Sequence, residues 1–457
     1  MNDRVDQYFA ALRGRRVAVL GIGVSNRPLI RMLLEYGVQV TACDKAPYEK
    51  LEPEVLELER MGAQLQTGEG YLDGLTADIV FRTPGMRPDL PQLVRLTARG
   101  AVLTSEMEEF FHVCPCPIIA VTGSDGKTTT TTLIAKILEH AGKTVWLGGN
   151  IGTPLLPRAT EMRAEDFVVV ELSSFQLMTM TRSADVAVVT NLAPNHLDVH
   201  KSMEEYIGAK KNVFLHQSAD GKLVVNMDNA ITDSFVPEAK GKVEKFSRLG
   251  VPENGVYLKD GVIFRNGKKI MDAADIKIPG VHNIENYMAA ACAVEGFASD
   301  GDIDAVARNF GGVEHRIELV RELDGVRYYN DSIASSPTRT IAGLHSFDRK
   351  VILIAGGYDK HIPFDVLGPE ICAHVKRLIL CGATADKIRA AVESAPEYAP
   401  GKPEIDTVQS LGEAVALAHQ RAQAGDIVTL SPACAAFDQF KNFMVRGETY
   451  KKMVMAL

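Results

Sequence analysis

A chain of 457 residues, 46% hydrophobic and 24% charged, carries enough apolar mass for about three globular domains at the usual ~150 residues each. Its formal net charge of -8 gives no bulk attraction to a nucleic acid, so any anionic substrate must be held by local positive charge. No apolar run reaches the ~20 residues of a membrane span, and the opening MNDRVDQYFAALRGRR lacks the apolar core of a signal peptide. The seven cysteines are scattered. Only Cys114 and Cys116 lie close together, a spacing too sparse for a metal motif, so the expectation is reduced thiols in a cytoplasmic enzyme.

Short apolar segments alternate with helical ones along the first hundred residues. RRVAVL (15–20), VQVTACD (38–44), DIVFRT (78–83) and AVLTS (101–105) predict strands buried on both faces. PLIRMLLEYG predicts an amphipathic helix with Pro28 in its first turn. That rhythm predicts an open parallel sheet. A second series begins at PIIAVTGSDGKTTTTTLIAKILEHAG, where a strand feeds a glycine-rich turn and then a helix. Strands follow at TVWLGG, DFVVVEL, VAVVTNL and KLVVNM, then a glycine-punctuated antiparallel addition near 250–280, then the helix HNIENYMAAACAVEGFA. After GGVEHRIELV, the strands VRYYNDS, KVILIAGG, RLILCG and IVTLSP form a third series. The predicted class is α/β in three domains: a Rossmann-like one over 1–105, a central P-loop-type parallel sheet over 106–313 and a Rossmann-like one over 314–457.

The sharpest local signal is Gly123-Ser124-Asp125-Gly126-Lys127-Thr128 between a strand and a helix. Glycines leave backbone N–H groups open to a phosphate chain, the helix N-terminus adds positive potential, and a lysine adds a point charge. Thr128 offers a hydroxyl to Mg²⁺. A plain helix-capping turn is the alternative for such a stretch. Glu171 ends one predicted strand and His196 follows another, where a metal-binding carboxylate sits beside a P-loop; each could equally be a strand-end cap. Gly21-Ile22-Gly23-Val24-Ser25-Asn26, with Asp44 beyond it, forms a first βα turn fit for a pyrophosphate, without the third glycine of a dinucleotide site. Asn330-Asp331-Ser332, Gly356-Gly357-Tyr358-Asp359-Lys360 and Ser431 to Asp438 all follow predicted strands, where α/β sheets bind ligands. Their shared position suggests a third domain that closes over the nucleotide.

Taken together and in order, VTGSDGKTTTT, ELSSFQL, TNLAPNHLDVH, YIGAK, GVHNIENYMAA, EHRIE, YNDSIASSP, AGGYDK and LSPACAAFDQFKNFMVRG resemble the Mur ligase family across the whole chain. The last stretch is most similar to the branch that adds D-glutamate to UDP-N-acetylmuramoyl-L-alanine. The resemblance implies an ATP-driven, cytoplasmic, monomeric ligase of peptidoglycan synthesis with no nucleic-acid or membrane partner, which phosphorylates a carboxylate and couples it to an amine. It assigns Gly123, Ser124, Asp125, Gly126, Lys127, Thr128 and Thr129 to ATP, with Asn283 and Asn286 on the adenine side. Asp331 is implied at the ribose and Arg316 at the γ-phosphate. Two Mg²⁺ ions are implied at Thr128, Glu171, His196 and Lys210, the lysine carrying a CO₂-derived carbamate; adjacent Lys211 leaves the register to be checked.

Lys127, His196, Lys210 and Arg316 are the implied catalytic set. Gly23, Val24, Ser25, Asn26, Asp44, Lys45, Thr83, Asn150 and His196 are implied on the UDP-substrate side. Ser335, Lys360, Ala436 and Phe443 are implied around D-glutamate. Three positions depart from the family pattern: Ile333 replaces a common lysine, Ala436 a common serine, and Asn195 a common aspartate. A relative extending folate with glutamate would share the phosphate chemistry. A P-loop switch would leave Lys210, Lys360 and Arg316 unexplained, and the missing third glycine argues against an NAD oxidoreductase.

Overall fold

The computed structural model describes residues 3–23, 25–194, 199–360 and 362–457. Its first sheet contains β1 (Arg16–Leu20), β2 (Gln39–Asp44), β3 (Gln64–Thr67), β4 (Ile79–Arg82) and β5 (Val102–Thr104). The order is β3-β2-β1-β4-β5 and every pairing is parallel. Along β1, Val17 and Val19 enter one apolar cluster while Ala18 and Leu20 enter another. Alternate residues of a strand point to opposite faces, so a strand covered on both sides must be apolar throughout. β3 was not predicted, because QLQT is polar and sits at the sheet edge.

The second sheet contains β6 (Ile118–Thr122), β7 (Val145–Gly149), β8 (Phe167–Glu171), β9 (Val186–Val189), β10 (Lys222–Asn226), β11 (Lys242–Ser247), β12 (Gly255–Lys259), β13 (Val262–Arg265) and β14 (Lys268–Asp272). Its order is β14-β13-β12-β11-β10-β9-β6-β8-β7. β12, β13 and β14 pair antiparallel, the expected addition. Asp260-Gly261 and Asn266-Gly267 turn its two hairpins with positive φ, as tight hairpin loops require. The third sheet contains β15 (Glu318–Leu323), β16 (Val326–Asn330), β17 (Val351–Ala355), β18 (Val375–Leu380), β19 (Glu404–Thr407) and β20 (Ile427–Leu430), in the order β15-β16-β20-β17-β18-β19. β15 alone is antiparallel there.

The chain thus has the predicted α/β class with three largely parallel sheets. It divides into two compact units: one runs from the N-terminus to Asp275 and includes Ile284–Ala307, the other comprises Ile276–Asn283 and Arg308–Leu457. The first unit carries two sheets. Among the described residues no helix is long and apolar enough to cross a membrane.

Candidate active site

In the second sheet β7, β8, β6 and β9 are neighbours, so their carboxyl ends bring four loops together. After β6 the chain turns through Gly123, at φ 151°, and Gly126, at φ 77°, into the helix Lys127–His140. A Cβ on Gly123 would lie 1.9 Å from Thr190 Oγ1, and one on Gly126 2.4 Å from Asn286 Oδ1. The loop is tied to the end of β9: Asn191 O accepts from Ser124 N at 2.8 Å and Asn191 Oδ1 from Asp125 N at 2.9 Å. Thr190 Oγ1 donates to Asp125 O at 2.6 Å. Lys127 Nζ lies over the loop, donating to Gly123 O at 3.1 Å and Ser124 O at 3.0 Å. Ser124 Oγ donates to Ala193 O at 3.0 Å and receives the Tyr206 hydroxyl at 3.0 Å. Gly123→Ala is expected to cost about 1–3 kcal/mol through the forced backbone and clash, with weakened nucleotide binding. Urea unfolding and titration with a fluorescent ATP analogue would measure both effects.

Lys210, on the helix Met203–Lys211, is 2% exposed. Its Nζ donates to Gly123 O at 2.8 Å and Thr122 Oγ1 at 3.1 Å, and lies 4.9 Å from the Tyr206 ring centre. Burial, and then the nearby Lys127 charge, push this ammonium well below its usual range. Lys211 turns outward to Glu238 at 2.5 Å. Of the two adjacent lysines, Lys210 is thus the one that meets the P-loop. Glu171, 2% exposed, accepts from Asn150 Nδ2 at 2.7 Å through Oε1, while its buried Oε2 has no hydrogen-bond partner. Buried carboxylate oxygens are rarely left so. A hard divalent cation shared with the Thr128 hydroxyl would satisfy it, so these residues fit Mg²⁺. Asn286 also meets the loop, its Oδ1 accepting from Thr130 Oγ1 at 3.2 Å. Asn283, one turn earlier, donates instead to Pro279 O at 2.5 Å.

The first sheet gathers its predicted residues at one edge. Asp44 ends β2 and accepts from Ile22 N at 2.8 Å and Ala46 N at 2.9 Å. Asn26 Nδ2 donates to Gly21 O at 2.8 Å, and a Cβ on Gly21 would lie 3.1 Å from Thr83 Cβ. Gly23, Ser25 and Lys45 are exposed around this turn. Arg82, at 1% exposure, donates to the carbonyls of Thr83, Pro84 and Met86 and so fixes the Thr-Pro-Gly turn. Its burial lowers its pKa to about 10.

In the second unit, β16, β20 and β17 are adjacent and parallel, so the three predicted C-terminal motifs meet at one edge. Asp331 is buried; Ser431 Oγ donates to its Oδ2 at 2.7 Å and Ile317 N to its Oδ1 at 3.3 Å. Burial raises its pKa to about 7, opposed by the Ser431 hydrogen bond and the Arg316 charge. Lys360 Nζ reaches Ser335 O at 3.5 Å, and the Phe443 ring meets His315 edge-on at 6.0 Å. Ala436 is buried in the same loop system, and Ile333 N donates to His315 O at 3.1 Å. His196, Asn195 and Val24 lie outside the described residues.

Sequence reasoning passed over Arg446. Its guanidinium, 3% exposed, donates to Ser332 Oγ and O, Cys434 O and Ala435 O at 2.9–3.0 Å. It therefore clamps the Asn330 and Ser431 loops together, and burial lowers its pKa to about 10. The signal was present: Arg446, Tyr450 and Val454 share the buried stripe of the helix Phe443–Met455 at four-residue spacing, an arginine on an apolar face. Arg446→Met keeps much of the volume but leaves buried carbonyls without donors. A loss of roughly 3 kcal/mol is expected, read as a lowered urea midpoint; an unchanged midpoint would count against the clamp.

Family profiles match two stretches: the Mur ligase middle domain over residues 121–294 and the Mur ligase glutamate ligase domain over residues 315–434. The UDP-N-acetylmuramoylalanine–D-glutamate ligase of Acetivibrio thermocellus is 54% identical over 464 aligned positions, covering 100% of each chain. Its Clostridium beijerinckii counterpart is 53% identical over 458 positions, again 100% of each. The chain belongs to the Mur ligase family. The solved UDP-N-acetylmuramate–alanine ligase of Thermotoga maritima superposes with a TM-score of 0.56 at 18% identity, covering 97% of this chain and 99% of that one. A UDP-N-acetylmuramoyl-L-alanyl-D-glutamate–2,6-diaminopimelate ligase gives 0.55 at 20% identity, with coverages of 92% and 86%. At such identities the likeness speaks for the fold.

Proposed function

We propose that this chain catalyses the ATP-dependent addition of D-glutamate to UDP-N-acetylmuramoyl-L-alanine, releasing ADP and phosphate, in the cytoplasm and as a monomer without membrane or nucleic-acid partners. The observation that carries the reading is the convergence of Lys127, Lys210, Glu171 and Asn150 at the carboxyl ends of adjacent strands, in a chain 54% identical throughout to a ligase of that name.

A carboxylate is a poor electrophile, so the reaction begins with an alanine carboxylate oxygen attacking the γ-phosphorus of ATP, and ADP departs. The amine of D-glutamate then adds to the acyl phosphate carbonyl. That intermediate expels phosphate as the C–O bond breaks, and the amine loses a proton to leave the amide. Lys127 and the loop N–H groups of residues 123–129 hold the phosphates, and Arg316 steadies the transferring group by a charge-assisted hydrogen bond. Asn286 and Asn283 take the adenine side and Asp331 the ribose. Asn150 meets the acyl substrate, while Gly23–Asn26, Asp44, Lys45 and Thr83 hold the uridine diphosphate. Lys360 pairs with a glutamate carboxylate beside Ser335, Ala436 and Phe443.

Mg²⁺, when bound, neutralises phosphate charge, and Thr128 and Glu171 would hold one ion. Lys210 would hold a second with His196, once CO₂ has converted its amine to a carbamate. Its burial, and then the neighbouring Lys127 charge, favour the uncharged amine that CO₂ requires. We place the domain limits near residues 105 and 313, between β5 and β6 and before β15.

The test is ADP release with Mg-ATP and UDP-N-acetylmuramoyl-L-alanine, comparing D-glutamate with L-glutamate, D-alanine and diaminopimelate. Turnover confined to D-glutamate is expected. Turnover with another amino acid would move the specificity to a different ligase of the family.

A further inference from the structure

In the second unit, away from the loops at the carboxyl ends of its strands, two short helices end side by side. Pro337–Leu344 is capped at its C-terminus by His345, and Leu367–His374 ends on His374. Glu370 lies four residues before His374 on that helix, so their side chains share one face. His345 Nε2 is 2.6 Å from Glu370 Oε2, and His374 Nε2 is 3.5 Å from the same oxygen. The two imidazole rings have centroids 4.8 Å apart at 53°. One donor atom from each of the three residues lies within 4.8 Å of the others. We propose that His345, Glu370 and His374 form a binding site for a divalent transition-metal ion, Zn²⁺ foremost.

Donor chemistry selects the ion. Two imidazole nitrogens and one carboxylate oxygen suit Zn²⁺ and its neighbours, whereas Mg²⁺ takes oxygen ligands. Tetrahedral bonds of ~2.0–2.2 Å set the donors about 3.4 Å apart. The His374–Glu370 separation already matches that spacing. His345 must withdraw by less than about 1 Å, which its half-exposed side chain allows. Electrostatics adds an independent argument. Both histidines stand at helix C-termini, where unpaired carbonyls concentrate partial negative charge and favour a cation. The side chains of His345, Glu370 and His374 are 50%, 32% and 35% exposed, so an ion can enter and water can take the fourth position.

The bound ion would staple the two helices. Both are anchored on one apolar cluster through Leu344, Leu367, Ile371 and Cys372. The first helix also carries Gly343, whose position would bring a Cβ within 2.8 Å of Asp331 Oδ2. The staple therefore fixes a helix that backs the Asp331 loop.

The test is calorimetric titration of the full chain with Zn²⁺ in excess Mg²⁺, run on the parent and on His345→Ala, Glu370→Gln and His374→Ala. Metal-free thermal midpoints verify that each variant folds. The parent is expected to bind one more equivalent than every variant, or to bind that equivalent at least about 10- to 100-fold more tightly. Zn²⁺ should also raise the thermal midpoint of the parent only, and turnover with Mg-ATP should be the same in all four proteins. No Zn²⁺ binding by the parent, equal binding by parent and variants, or a loss confined to one variant would each overturn the three-donor site.

Discussion

Lys127→Ala is expected to lower ADP release by about 10²–10³-fold, the usual loss when one preorganised donor to developing charge is removed. The side chain stands 3.0–3.1 Å from two carbonyls of its own loop, so its cation is held at the P-loop before any phosphate arrives. The alanine variant should fail at acyl-phosphate formation, measured as phosphate transfer from labelled ATP without D-glutamate. Binding of UDP-N-acetylmuramoyl-L-alanine should change little, because the first-sheet residues around Asp44, Asn26 and Thr83 form their own hydrogen-bonded edge. Calorimetry with the UDP-substrate tests that division. Loss of both properties together in a folded variant would mean that the P-loop and the uridine side are one energetic unit.

The second large effect concerns two neighbouring lysines. Lys210→Ala should reduce turnover by about 10²-fold or more, whereas Lys211→Ala should leave turnover intact and cost at most about 1 kcal/mol, as for other exposed ion pairs. Adjacent residues on a helix point about 100° apart. Here one turns into the P-loop and the other to Glu238 at the surface. Labelled bicarbonate offers a readout that packing alone would not move: a carbon-13 carbamate resonance expected in the parent and in Lys211→Ala, and missing in Lys210→Ala. A carbamate signal that survives in Lys210→Ala would place the modification elsewhere.

The P-loop and the three α/β series were legible because each depends on local rules. A glycine-rich turn between an apolar strand and a helix has few other uses, and strands buried on both faces must be continuously apolar. Three of the unpredicted strands have the opposite character. β3 (QLQT), β15 (ELVREL) and β19 (EIDT) are edge strands, with one side unpaired and much of their surface wet, so their sequences carry little apolar signal. Arg446 carried a local signal, an arginine on the apolar stripe of its helix, but the joining of the Ser332 and Cys434 loops through it is a tertiary fact.

The residue order by itself determined the candidates at each strand end, which rest on residue type and spacing, and it carried the ordered motifs whose resemblance to the family implies the reaction class. Only the tertiary structure decided which candidates meet. Strand order, which is not sequence order, made β7, β8, β6 and β9 neighbours and so placed Asn150 and Glu171 beside the P-loop. Helix rotation turned Lys210 rather than Lys211 toward the P-loop, and packing left the buried Glu171 Oε2 without a hydrogen-bond partner. Those are long-range facts of packing, and no local pattern of side chains contains them.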